Sequence, residues 1–304
     1  MKPIDWYYRA PIIVVFILVA FLGLLVSFGR SSESFLPPVA SVSSEIDSPY
    51  PVRTAKVILP FAYPFRGTGI LQEKNQSNKS GNPYWWLNSG AELIFSGNFA
   101  STIEGSLPTY SRWRIAYAKT NSLDTDGGYY PQNLFRLVSR QKWLDYRQTL
   151  YFQILRDNLS GSPNRNDSNG IFLFNRYQDG DNLYYTGVRV DGTAVIKKKQ
   201  DGEYTTLVQT PIWTSDRPYD RKNNTDILPK GQWVGLESRV VSLPGGKVSI
   251  ELWLDKGGKD QWEKVLSTVD DGLSFGPTIN RSGYTGIRTD FMDVLFWRYK
   301  IDNI

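Results

Sequence analysis

An all-β sandwich of two antiparallel sheets, preceded by one N-terminal membrane-spanning helix, is the fold class this sequence predicts. Three observations lead there. Short β-prone segments punctuated by Gly, Pro, Asn and Asp run from Val57 to the C-terminus. No alternation of strands with helices, and no strong amphipathic helix of more than two turns, interrupts them. One uncharged apolar run stands ahead of them all.

That run, residues 11–29 (PIIVVFILVAFLGLLVSFG), rises roughly 28 Å as a helix, close to the hydrocarbon thickness of a bilayer. A secretory signal has a shorter apolar core and a small-x-small cleavage site, which Ser27-Phe28-Gly29-Arg30 matches poorly. An uncleaved signal anchor is the expectation and a cleaved signal the alternative. Lys2 and Arg9 on one side, against Arg30 on the other, set residues 1–10 in the cytoplasm and export the rest. Asn-x-Ser/Thr sequons begin at Asn75, Asn78, Asn158, Asn166, Asn223 and Asn280, all in polar stretches that read as loops. They agree with export and point to a glycoprotein. Residues 30–56, rich in Ser and Pro, read as an extended linker, and the folded domain is expected over 57–304.

The clearest strands lie over 183–208, where Asp191-Gly192 and Asp201-Gly202 cut a β-branched and aromatic stretch into a three-stranded meander. Asp-Gly suits a two-residue type I′ turn, whose central residues both need φ > 0. A second pair spans 233–242 and 247–255, joined by Leu243-Pro244-Gly245-Gly246. In KVSIELWLD, Val248, Ile250, Leu252 and Leu254 alternate with Ser249, Glu251, Trp253 and Asp255, the period of a half-buried strand. Further strands are expected at 91–95, 113–118, 134–139, 149–155, 170–176, 283–288 and 294–301.

Composition excludes several chemistries. The 304 residues hold no cysteine and no histidine, which removes disulfides, thiolate nucleophiles, His-zinc sites and the Ser-His-Asp triad. A cysteine-free exported domain suggests a bacterial or archaeal surface. The net charge of +5 falls once Lys2, Arg9, Arg30 and Asp5 are set aside with the apolar run, leaving an ordinary mixed surface and no nucleic-acid footprint. Aromatics make up 14%, suited to a sandwich core or to stacking on sugar rings.

The order of segments carries a resemblance. NGIFLF at 169–174 and the meander YYTGVRVDG…TAVIKKK are followed by the Trp-led QWVGLESRVV, then VSIELWLD and the closing GYTGIRTDFMDVLFWRYKIDNI. This resembles the concanavalin A-like lectin/glucanase superfamily over residues 60–304, which implies a jelly roll of two large sheets. The superfamily holds sugar-binding modules, glycoside hydrolases and polysaccharide lyases. Its hydrolases carry closely alternating carboxylates on one strand; here only Glu251 and Asp255 are offered, with Trp253 between them, and solvent-facing charge is the preferred reading. Its lyases use Tyr, often with His, and Arg, Asn or Gln. Their strand motifs are not reproduced, and Gln153-Ile154-Leu155 is the nearest echo.

Candidate ligand residues follow from the strands. Tyr185, Gly187 and Arg189 share one face by period two, after Tyr184; Lys197 and Lys199 share another. With Arg176 they make a candidate surface for an acidic glycan, against the alternative of solvated lysines guarding a strand edge. Asp124-Thr125-Asp126-Gly127-Gly128 offers Asp124 and Asp126 as candidate ligands of a structural Ca²⁺, which the resemblance implies; the terminal Glu of an EF-hand is missing, and a plain turn competes. Trp85, Trp86 and Trp213 stand near expected loops. The expectation is a single-pass cell-membrane protein whose external domain binds a polysaccharide or cell-surface glycan without catalysis. The alternatives are a polysaccharide lyase, rather than a hydrolase, and a structural or adhesive module.

Overall fold

The computed structural model describes residues 50–225 and 227–304. The expected span at 11–29 lies outside them; among the described residues no helix is long and apolar enough to cross a membrane. In chain order the elements are β1 (Phe61–Tyr63), β2 (Gly67–Gln72), β3 (Trp85–Ser89), β4 (Glu92–Gly97), β5 (Phe99–Thr102), α1 (Arg112–Thr120), β6 (Leu134–Trp143), β7 (Tyr146–Asp157) and β8 (Gly170–Asp179). Then come β9 (Asn182–Arg189), β10 (Thr193–Gln200), β11 (Glu203–Pro211), β12 (Val234–Ser242), β13 (Val248–Asp255), β14 (Glu263–Asp270), β15 (Gly283–Asp290) and β16 (Met292–Asp302).

Two antiparallel sheets result. One has nine strands, ordered β14-β13-β12-β7-β16-β5-β4-β2 with β1 also on β16; the other has seven, ordered β11-β10-β9-β8-β15-β6-β3. The main core lies between them, where Leu150, Phe152, Leu236, Ile250 and Phe296 meet Leu137, Leu173, Ile196 and Ile287. Burying each such side chain contributes about 1.5–3 kcal/mol, which is what holds the sheets together. The seven-stranded sheet is apolar on both faces. Its outer face carries a second cluster of Val138, Phe172, Phe174, Tyr185 and Val195, so β8 reads as a nearly unbroken buried run.

β13 alternates as expected, with Val248, Ile250, Leu252 and Leu254 inside, but Asp255 is 1% exposed rather than solvated. Its carboxylate accepts from the Gly257 and Asp260 amides and closes the following turn. Residues 113–118 form a helix, not a strand. Trp113, Ile115 and Tyr117 imitate period two, yet it is the i, i+4 pair Trp113 and Tyr117 that packs with Ala91 and Ile103, leaving Ile115 exposed. The domain also begins earlier than residue 57: the Val52 and Ala55 amides bond the Ser80 and Pro83 carbonyls. Asn158 lies in a loop, as expected of the sequons, just after β7. It is buried, and its amide donates to Asp293 Oδ1 at 2.9 Å.

Of the two meander turns, Asp201-Gly202 takes positive φ at both residues (50° and 89°), as type I′ requires. At Asp191-Gly192 only the glycine does (81°), and the Gly192 amide bonds the Arg189 carbonyl, so this loop has three residues ending in a left-handed glycine. A Cβ on Gly192 would lie 2.1 Å from the Trp213 carbonyl oxygen. Gly192→Ala is therefore expected to cost more than the about 1–2 kcal/mol of left-handed strain alone. Gly231→Ala, at φ 70° with nothing within 4 Å, should show only that strain. Urea unfolding of both variants checks the difference; equal losses would refute the clash.

Candidate functional site

The outer face of the seven-stranded sheet holds a cleft of about 580 Å³. Strand register builds it. Lys197 on β10 stands opposite Thr206 on β11 and Tyr185 on β9. One row along, Gly187 opposes Phe172, Phe172 opposes Arg288, and Arg288 opposes Arg136. Directly opposed residues point to the same face, so six strands deliver one cluster. Gly187 lets β9 lie close against β8, since a Cβ there would come 2.1 Å from the Ile171 carbonyl oxygen and 2.9 Å from the Phe172 ring.

The cluster is cationic and aromatic. Arg288 donates to Asp290 Oδ1 at 2.8 Å and to the Tyr204 hydroxyl at 3.1 Å, and stands 3.4 Å from the Tyr185 hydroxyl. The Lys197 ammonium lies 4.5 Å from the Phe172 ring centre and donates to the Ser168 carbonyl at 3.3 Å. Arg136, half-buried beside Arg288, has no ion pair or side-chain hydrogen bond among the described residues. Like charges on opposed strand positions repel, so the Arg136–Arg288 pair is an arrangement that an anion would stabilise.

Electrostatics follow from burial and neighbours. Burial, with Arg288 close by, pushes the Lys197 ammonium down to about 8. Burial raises the Tyr185 phenol. It also acts to raise Tyr204, but the Arg288 charge and the hydrogen bonds with Tyr185 and Arg288 outweigh it, and the Tyr204 phenol sits below its ordinary value. The carboxylates at the cleft are engaged: Asp290 with Arg288, Asp167 with Arg189, and Asp124 with Ser162 and Asn164.

Of the residues expected from sequence, Tyr185 and Lys197 line the cleft together. The register puts them on one face although they sit on different strands. Lys199 stands nearby, 5.1 Å from the Tyr204 ring and bonded to Asp181. Arg189 is drawn aside by Asp191 at 2.8 Å and by the Asp167 carbonyl at 3.0 Å. Arg176 is a correction: its side chain is fully buried and committed to Leu144 O, Ile279 O, Asp145 and Ser242. Arg136, Phe172, Tyr204 and Arg288 went unrecognised in the sequence. Only Tyr204 had a usable signal, because the Asp201-Gly202 turn pairs it with Lys199.

Asp126 Oδ1 accepts from the Ser160 hydroxyl at 2.7 Å and Asp124 Oδ1 from Ser162 and Asn164, so the pair staples two loops. Among the described residues no three acidic side chains gather for a metal. Trp85 is core, and Trp86 donates its indole N–H to the Lys74 carbonyl at 2.6 Å. Trp213 packs on the core margin. Glu251 belongs to the other sheet. Partial burial opposes its ionisation, yet bonds from Trp253 and Lys264 hold it below the usual carboxylate range.

No family model and no curated protein sequence matches this chain. Among solved structures it is similar to the carbohydrate-binding module CBM66 from Bacillus subtilis, at 12% identity over 72% of this chain and 95% of that one, with a TM-score of 0.43. The exoplasmic/lumenal domain of VIP36, in a Ca²⁺- and mannose-bound form, matches at 12% identity over 77% of this chain and 89% of that one, TM-score 0.39. The GH43 protein BlXynB from Bacillus licheniformis matches at 9% identity over 77% of this chain but only 39% of that one, TM-score 0.41. These likenesses are of sheet arrangement alone, and what each neighbour binds is a property of that neighbour.

Proposed function

We propose that the cleft binds a carbohydrate that carries negative charge, and that it does so without covalent chemistry. The observation that supports this most is the opposition of Arg136 and Arg288, with Lys197 beside them and aromatic rings as floor and wall. A sugar carboxylate or sulfate would relieve the repulsion between the arginines, and the exposed Tyr204 ring offers a stacking face. In this reading the domain works outside a bacterial or archaeal cell, tethered through residues 11–29. A second reading, β-elimination on a uronate, draws on the lowered Tyr204 phenol beside Arg288.

The test is equilibrium binding of the full chain, in mild detergent, to matched acidic and neutral oligosaccharides at low and high salt. Acidic oligosaccharides should bind, and more weakly at high salt. Absence of binding at millimolar concentration would sink the proposal. Growth of ultraviolet absorbance from an unsaturated uronate would replace it with the lyase.

A further inference from the structure

A second hollow, of about 390 Å³, adjoins the first. Both are walled by Leu134 and Arg136, so Arg136 stands between them. The first reaches from β11 to β6 and the second from β6 across β3 to α1. Six strand spacings of about 4.8 Å give a trench of roughly 29 Å, long enough for several sugar units.

The two hollows differ chemically. The second holds Glu73 and, apart from Arg136, no cation in its lining; its other polar groups are neutral, notably Asn88, Thr120 and Asn121. The Glu73 carboxylate is fixed by the Tyr117 hydroxyl at 2.5 Å and the Ala91 amide at 2.8 Å. Burial pushes it above the ordinary carboxylate range; where it is ionised it would repel a second acid beside it, and where it is protonated it offers a neutral partner. Trp113 lies along the same wall, its indole N–H held by Gln72 at 2.8 Å and the Arg112 guanidinium 5.0 Å from its ring centre, so a ligand would meet ring edge rather than a free donor.

We propose that the trench reads two unlike units in register: an acidic sugar over Lys197 and Arg288, and a neutral, amide- or hydroxyl-bearing sugar beside Trp113 and Asn121, with Arg136 between. The ligand class is then a mixed acidic and neutral glycan, not a homopolymer of acidic units. This rests on the reading of the first cleft as an acidic-glycan site.

The experiment titrates the full chain with hexasaccharides of three kinds: a uronate homopolymer, an alternating uronate and N-acetylhexosamine chain, and a neutral N-acetylhexosamine chain. The alternating hexamer should bind at least about tenfold tighter than the homopolymer, near the effect of one good polar contact. Glu73→Gln should narrow that gap by improving homopolymer binding. Trp113→Ala and the surface variant Asn121→Ala should weaken the alternating hexamer while leaving affinity for a free uronate monosaccharide unchanged. Equal affinity for the two acidic hexamers, or equal losses on every probe in the Trp113 and Asn121 variants, would overturn the two-unit proposal and leave the acidic site standing. Failure of both acidic hexamers to bind would overturn the two together.

Discussion

Replacing Lys197 by alanine is expected to weaken binding of an acidic oligosaccharide by about ten- to a hundredfold, with the fold intact. A charge-assisted hydrogen bond contributes about 1.5–3 kcal/mol, and each 1.4 kcal/mol is a factor of ten. Arg136→Ala should lose as much, since Arg136 has no protein carboxylate to return to. Lys199→Ala should lose much less, because Asp181 already holds that ammonium. Calorimetric titration of the three variants checks the order; a Lys197 effect no larger than that of Lys199 would move the site.

The same residue sets a pH dependence. Lys197 is charged below about 8 and neutral above it, so affinity for an anion should hold at lower pH and fall as pH rises through 8. Arg288, Arg189, Asp290 and Asp191 surround it, and Tyr204, once ionised, would deepen the loss. Lys197→Arg should restore binding and flatten the profile. For stability the sign is opposite. The unfolded chain holds this proton up to the ordinary 10.5, so the fold gains stability as pH rises from about 8 towards 10.5.

Removing Lys198 should produce the largest loss of stability. Its ammonium lies 2.8 Å from Asp270 Oδ2, with side chains 1% and 0% exposed, and also donates to the Phe275 and Gly276 carbonyls. Tyr184 donates to the same carboxylate at 2.6 Å and accepts from the Ile279 amide at 3.0 Å. β10 and β14 belong to different sheets, so this network joins the two layers. Breaking a buried pair from one side leaves the partner charge unmatched, at about 3–5 kcal/mol. Lys198→Ala should therefore cost that much in urea unfolding. Lys198→Met with Asp270→Leu should recover part of it, because neither charge then remains buried. A loss under about 1 kcal/mol for Lys198→Ala would refute the account.

Wherever one face of a strand is buried, its residues declared themselves. β13 follows alternation closely enough to be placed from sequence, and the meander strands, largely buried on both faces, declare themselves by their Asp-Gly turns and β-branched and aromatic residues instead. Where a short segment satisfied two periods, as at 113–118, the choice fell to what stood nearby: Ala91 and Ile103 offered a socket for Trp113 and Tyr117 on one helical face. Short or charged strands such as β1, β5 and β14 had too few apolar positions to show a period. The run Lys197-Lys198-Lys199 shows the limit most plainly. Composition makes three equal cations; the pleat sends the middle one into the core and the outer two to the cleft side.

By itself, then, the sequence determined an all-β domain, its turns, its lack of histidine and cysteine chemistry, and the Tyr185 and Lys197 half of the candidate site. Those properties are local: they follow from side-chain period, turn residues and composition within a few positions. The other half, with Arg136 and Arg288 brought face to face and Arg176 drawn into the interior, was decided by tertiary structure alone. Strand register couples residues more than a hundred positions apart, and no local pattern records which strand will lie beside which.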